Sequence, residues 1–159
     1  MAVQLGRDYG FAYQIRTALP GAGPSRAVAL VTRRYLLILP WVSISGGGIT
    51  IVRTTQTVGG LPPGDAIRQL LNDPSMTVDR LEAEIGRWCS EIQGGLAKPI
   101  DVFKRIKIRT GFFTRSVMFS EKASGFDAGL PMGTAVGFRP SKEEIPAFEA
   151  LFTGDPRRV

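Results

Sequence analysis

Apolar and polar residues alternate from Tyr9: Tyr9, Phe11, Tyr13 and Ile15 against Gly10, Ala12, Gln14 and Arg16. A period of two predicts a half-buried strand whose aromatic residues share one face. Gly and Pro then mark a loop over 19–25. Two short apolar runs follow, RAVALVT (26–32) and YLLILP (35–40), separated by Arg33-Arg34. Both are rich in Val, Leu and Ile and predict neighbouring strands. The β-branched run GITIVRTTQTV (48–58) predicts a fourth. The 18 uncharged residues between Arg34 and Arg53 approach the length of a membrane span. Pro40 and Gly46-Gly47-Gly48 interrupt them, so two strands joined by a glycine turn are the better reading.

The period changes after residue 60. GLPPGD (60–65) predicts a turn and a helix start, with Asp65 capping AIRQLL. Val78, Leu81, Ile85, Trp88 and Ile92 recur at steps of three and four. They predict an amphipathic helix from near Thr77, stopped by QGG (93–95). Arg80, Glu84, Arg87 and Glu91 fall on its wet side at spacings that suit ion pairs. Period two returns in DVFKRIKIRT (101–110) and FFTRSVMFS (112–120), which predict a hairpin joined at Thr110-Gly111. A loop (121–133), a short strand TAVGF (134–138) and a terminal amphipathic helix complete the chain. Ser141 and Glu144 have the spacing of a capping box. Pro146 places the regular helix from about Glu144 rather than Ser141. The expectation is an α+β chain: seven antiparallel strands in a barrel or sandwich, a helical insertion over about 61–98, and a single domain spanning 1–159.

Composition narrows the chemistry. The chain has no histidine and one cysteine, Cys89. That excludes a Ser-His or Cys-His nucleophile, a histidine-ligated metal and a thiolate cluster. Cys89, beside Trp88, reads as a buried, inert thiol, and a single cysteine fits a reducing, cytoplasmic compartment. The N-terminus does not read as a signal peptide. Most carboxylates fall on predicted helix surfaces or caps, among them Asp79, Glu82, Glu84, Glu91, Glu143 and Glu144. A small enzyme built on distant carboxylates stays open. SGGGIT (45–50) lies between two predicted strands, which suits neither a P-loop nor a dinucleotide fingerprint. No cofactor and no metal site is expected.

Charge points elsewhere. Lys and Arg total 20 against 14 acids, a net +6. Five of those cations and no acid lie in FKRIKIRTGFFTR (103–115). By strand parity, Ile106 and Ile108 face the core. Phe103, Arg105, Lys107 and Arg109 face out, and Arg115 on the partner strand either extends this row or, if Phe113, Val117 and Phe119 pack inward, lies at its rim. Arg105, Lys107, Arg109 and Arg115 are therefore the candidate partner-binding residues. A solvated strand face also explains them. Among partners, an acidic protein surface comes first, then an anionic membrane, then nucleic acid, for which only Phe103 offers a stacking ring on that face. A homo-oligomer, with the Trp88 helix as contact, stays open.

Three segments resemble the pleckstrin-homology-like barrel, in its bacterial and GRAM-type forms: VALVTRRYLLILP (28–40), RIKIRTGFFTRSVMF (105–119) and TAVGFRPSKEEIPAFEALF (134–152). The resemblance implies a seven-stranded barrel closed by a C-terminal helix; the two-helix segment is extra to that pattern, and its helix over 77–93, with Trp88, is expected to cover a barrel opening or form an oligomer contact. It implies a module that presents a surface to a protein, peptide or membrane. The basic residues sit on the fifth and sixth strands rather than on the first hairpin, where lipid-binding members of that family carry them. The function expected is a non-catalytic binding or scaffolding module within a larger assembly.

Overall fold

The structure, a computed structural model, describes residues 2–19, 23–45, 52–121 and 135–159. Its elements run β1 (Tyr9–Leu19), β2 (Gly23–Thr32), β3 (Tyr35–Ser45), β4 (Val52–Thr55), α1 (Pro63–Leu71), α2 (Val78–Glu91), β5 (Leu96–Pro99), a 3₁₀ turn (Ile100–Val102), β6 (Arg105–Arg109), β7 (Ser116–Ser120), β8 (Ala135–Phe138) and α3 (Ile145–Leu151). The chain is α+β. One antiparallel sheet has five strands, ordered β1-β2-β3-β4 with β5 also on β3, and the other is β6-β7-β8. Among the described residues no ladder joins the two sheets, and they are not closed into a barrel. The expected count of seven strands missed β5. Residues 46–51 of the expected glycine turn and fourth strand, and 122–134 of the expected loop and last strand, lie outside the described residues.

Both faces of the large sheet are covered. On its inner face Ala12, Ile15, Ala27, Ala29, Val31, Leu36 and Ile38 meet Ile106, Ile108, Val117, Phe119, Val136 and Phe138 of the small sheet. Phe148, Leu151 and Phe152, from α3 and its C-terminus, join this core. On the outer face Val28, Leu30, Leu37 and Leu39 pack under Ala66 and Ile67 of α1 and Leu81, Ile85, Trp88 and Cys89 of α2. Burial on two sides explains why β2 and β3 read as continuous apolar runs and not as alternating ones. Trp88 therefore covers the outer face of a sheet, not a barrel opening.

Two irregularities set the details. The β1–β2 register shifts between Ala12 and Ile15. This bulge inverts the alternation. Tyr9 and Phe11 pack on the outer core while Ile15 enters the inner one. The single aromatic face expected for β1 is thus split. In β3, Tyr35–Ile38 pair with β5 and Val42–Ser45 pair with β4. Pro40 falls at the changeover, where its missing N–H is not required by either strand. The chain therefore continues as one strand through Pro40 where a break was expected. The Gln56 side chain fills this gap: Nε2 donates to Pro40 O (3.1 Å) and Gln93 O (2.8 Å), and Oε1 accepts from Gln93 N (2.7 Å).

Polar side chains then lock elements together. Buried Thr32 donates to Glu82 Oε1 of α2 (2.6 Å), and Arg34 bonds Glu82 Oε2 (2.5 Å) and Asp79. The β2–β3 turn is thereby fixed to α2. Thr77 caps α2 by accepting from Arg80 N (3.2 Å). Asp65 does not cap α1. It accepts from Tyr13 OH (2.7 Å), while Arg68 lies 3.7 Å over the Tyr13 ring. Ser141 and Glu144 do form the reciprocal box: Glu144 N donates to Ser141 Oγ (3.2 Å) and Ser141 N to Glu144 Oε1 (2.7 Å). The other oxygen of Glu144 accepts from Tyr13 N (2.6 Å), in the bulge of β1. One carboxylate therefore seats α3 on β1. The approach is close: a Cβ on Gly10 would lie 2.6 Å from Phe148 Cδ1.

Candidate interaction surface

The basic hairpin is built on β6 and β7, paired Arg105↔Ser120, Lys107↔Met118 and Arg109↔Ser116. Ile106 and Ile108 are buried, and Arg105, Lys107 and Arg109 lie on the opposite face, as parity requires. Arg109, at the end of the strand, is exposed, while Arg105 and Lys107 are half-buried and make contacts of their own. The other edge of β6 is covered by the C-terminal residues. Ile106 N donates to Arg157 O (2.9 Å) and Val159 N to Ile106 O (3.0 Å). Arg157 is held by Asp155 (2.7 Å) and donates to Ile100 O (3.0 Å). The Arg157 guanidinium pulls the Asp155 carboxyl below the usual carboxylate range.

Two sequence assignments change. Phe103 is not on the charged face. The 3₁₀ turn and the bend at Lys104 break the alternation, so Phe103 turns inward against Phe119 (ring centroids 5.3 Å apart) and is buried. Arg115 is not in the row. β7 starts at Ser116, so residues 110–115 form the connection and strand parity does not reach them. Arg115 is half-buried and its Nε donates to Pro140 O (2.7 Å).

The same shift exposes what parity had hidden. Phe112 and Phe113 are 71% and 84% exposed at the hairpin tip. Their rings pack edge to face, with centroids 4.8 Å apart and planes at 86°. They occupy the two central positions of a turn closed by Thr114 N donating to Gly111 O (3.1 Å). Arg139 donates to Phe112 O (3.2 Å), so the connection after β8 braces the tip. The sequence signal was present: two adjacent aromatics next to Gly111 in a cationic stretch.

Open concavities lie elsewhere among the described residues. One of about 360 Å³ lies between Arg7, Asp8, Arg33, Arg34, Val78 and Glu82. Its arginines are largely offset by acids, with Arg7 on Asp8 and Arg34 on Glu82. Another, of about 170 Å³, is lined by Tyr13, Gln14, Trp41, Pro62 and Gly64. Among the described residues no three Cys, Asp or Glu side chains gather into a metal-binding group. Cys89 is buried, its Sγ 3.6 Å from Ile38 O, and burial pushes its thiol pKa up to about 12. Among the described residues no helix is long and apolar enough to cross a membrane. No family model matches the chain, and no curated protein and no solved structure matches it either.

Proposed function

We propose that the chain is a non-catalytic binding module of pleckstrin-homology-like architecture, whose β6–β7 hairpin end engages an acidic protein within a larger assembly. The observation that carries this reading is the cationic hairpin: Arg105, Lys107 and Arg109 share the outer face of β6, with Arg109 open at its end. Arg109 is exposed, and an exposed cation at the strand end offers an acidic surface a complementary charge. The architecture is supported by the element order. Successive antiparallel sheets are followed by an amphipathic C-terminal helix seated on β1. The two inserted helices add a covered outer face to that plan.

The test is affinity purification of the full chain from its native cell, followed by binding of the purified partner. Arg109→Glu should weaken binding while leaving the melting temperature nearly unchanged, and adding Lys107→Glu should weaken binding further. Wild-type affinity should fall with rising salt. Undiminished binding by both variants would end the proposal. Co-sedimentation of the wild type, but not of the variants, with vesicles containing anionic lipid would assign the surface to a membrane instead.

A further inference from the structure

We infer that Phe112 and Phe113 are the apolar anchor of this interface, and that the partner is an acidic protein presenting an apolar pocket with a carboxylate rim. The inference rests on the hairpin being a binding surface. Neither ring belongs to either core; they touch each other instead. Burying one phenylalanine is worth about 1.5–3 kcal/mol, so folding leaves that gain unused twice at one point. Local preference is also broken. Central turn positions favour Gly, Pro, Asn, Asp and Ser, yet two aromatics stand there. A rule broken without gain in the folded chain marks a functional position.

The tip is braced before it binds. The turn hydrogen bond, Arg139 on Phe112 O and Arg115 on Pro140 O fix its backbone. A prearranged aromatic pair loses little conformational freedom on docking, which is the property of a binding hot spot. Arg115 and Arg139 are thus positioning residues. Charge selects the occupant: exposed Arg109 ends the strand that leads into the tip, exposed Arg139 donates to Phe112 O, and residues 103–115 contain no acid. A pocket that accepts the rings must face cations at its rim, which calls for carboxylates there.

The probe is the full chain carrying Thr114→p-benzoylphenylalanine, which keeps both phenylalanines, irradiated in its native cell. One predominant protein adduct is expected, and it should be lost when Arg109→Glu is added. The protein so identified, once purified, should bind Phe112→Ser/Phe113→Ser about 30-fold more weakly than wild type. Phe112→Leu/Phe113→Leu should retain most of the affinity. The melting temperature should not move, because both rings lie outside the cores. If the serine variant binds like wild type while Arg109→Glu does not, the anchor is refuted and the basic hairpin stands. If both bind like wild type, both readings fall. The anchor assignment is also overturned by the absence of a protein adduct or by an adduct only to a second copy of this chain. Phe-dependent sedimentation with phosphatidylcholine–phosphatidylserine vesicles likewise overturns it.

Discussion

Glu144 does more than its capping-box spacing announces. One oxygen takes Ser141 N and the other takes Tyr13 N across the molecule. Two hydrogen bonds to a charged acceptor, one of them in a strand bulge, predict that Glu144→Ala destabilises the fold by about 2–4 kcal/mol. Glu144→Gln keeps one carbonyl oxygen and should fall between wild type and alanine in urea unfolding. Equal midpoints for all three proteins would show that neither bond matters. The local half of this arrangement was legible in the sequence. The reach to Tyr13 was not, because it depends on a bulge that frees that N–H. Cys89 gives a second prediction at this scale. Burial raises its thiol pKa, so at pH 8 the thiolate is scarce and screened. A chromogenic disulfide reagent should leave the native protein unlabelled and modify one equivalent after denaturation. Rapid labelling of the native chain would contradict the packing of α2 on β3.

Elements were legible where one period ran without interruption. The α2 helix shows its stripe, its start near Thr77 and its stop within local sequence, and Leu81, Ile85 and Trp88 bury as expected. Where the period was broken the reading slipped, at the β1 bulge, at the 3₁₀ turn before β6 and at the tip that removes Phe112 and Phe113 from β7. Each break lies in backbone geometry, a bulge or a turn, which alternation alone does not encode. The cover on β6 is of the same kind. It depends on Asp155 holding Arg157, whose carbonyl accepts from Ile106. The folded Asp155 carboxyl has a depressed pKa, so its stabilisation is fully present above the unfolded value. It is lost as pH falls through the lower folded one. Both side chains are partly exposed, and solvent screening limits the pair to about 1 kcal/mol. Asp155→Asn should therefore lower the melting temperature by about 2–4 °C near neutral pH. That gap should begin to narrow below about pH 4 and close as pH falls through the lower folded pKa. A gap that stays constant from pH 7 to pH 2.5 would mean that the charge of Asp155 is not what holds the tail.

At the scale of the whole molecule, the two cores share one wall. β2 and β3 contribute to both, sending Ala27, Ala29, Val31, Leu36 and Ile38 inward and Val28, Leu30, Leu37 and Leu39 outward. The small sheet has one face in a core, and its hairpin ends in an exposed tip. Opening β2 from β3 must therefore disrupt both hydrophobic layers at once. Releasing the end of the β6–β7 hairpin disturbs only the rim of one. Local openings follow such differences in buried contact, so protection should be graded across the fold. In native-state hydrogen exchange, the paired amides of 28–31 and 36–39 should exchange only through global unfolding. Those of Arg109 and Ser116 should exchange through smaller openings that depend weakly on denaturant. The Phe112→Ser/Phe113→Ser variant should leave this order intact, because the tip supports neither core. If β2 and β3 exchange as readily as the hairpin end, the shared wall is not the most stable part of the molecule. In that case the β6–β7 hairpin end is not a separate, braced unit carried on a more stable base.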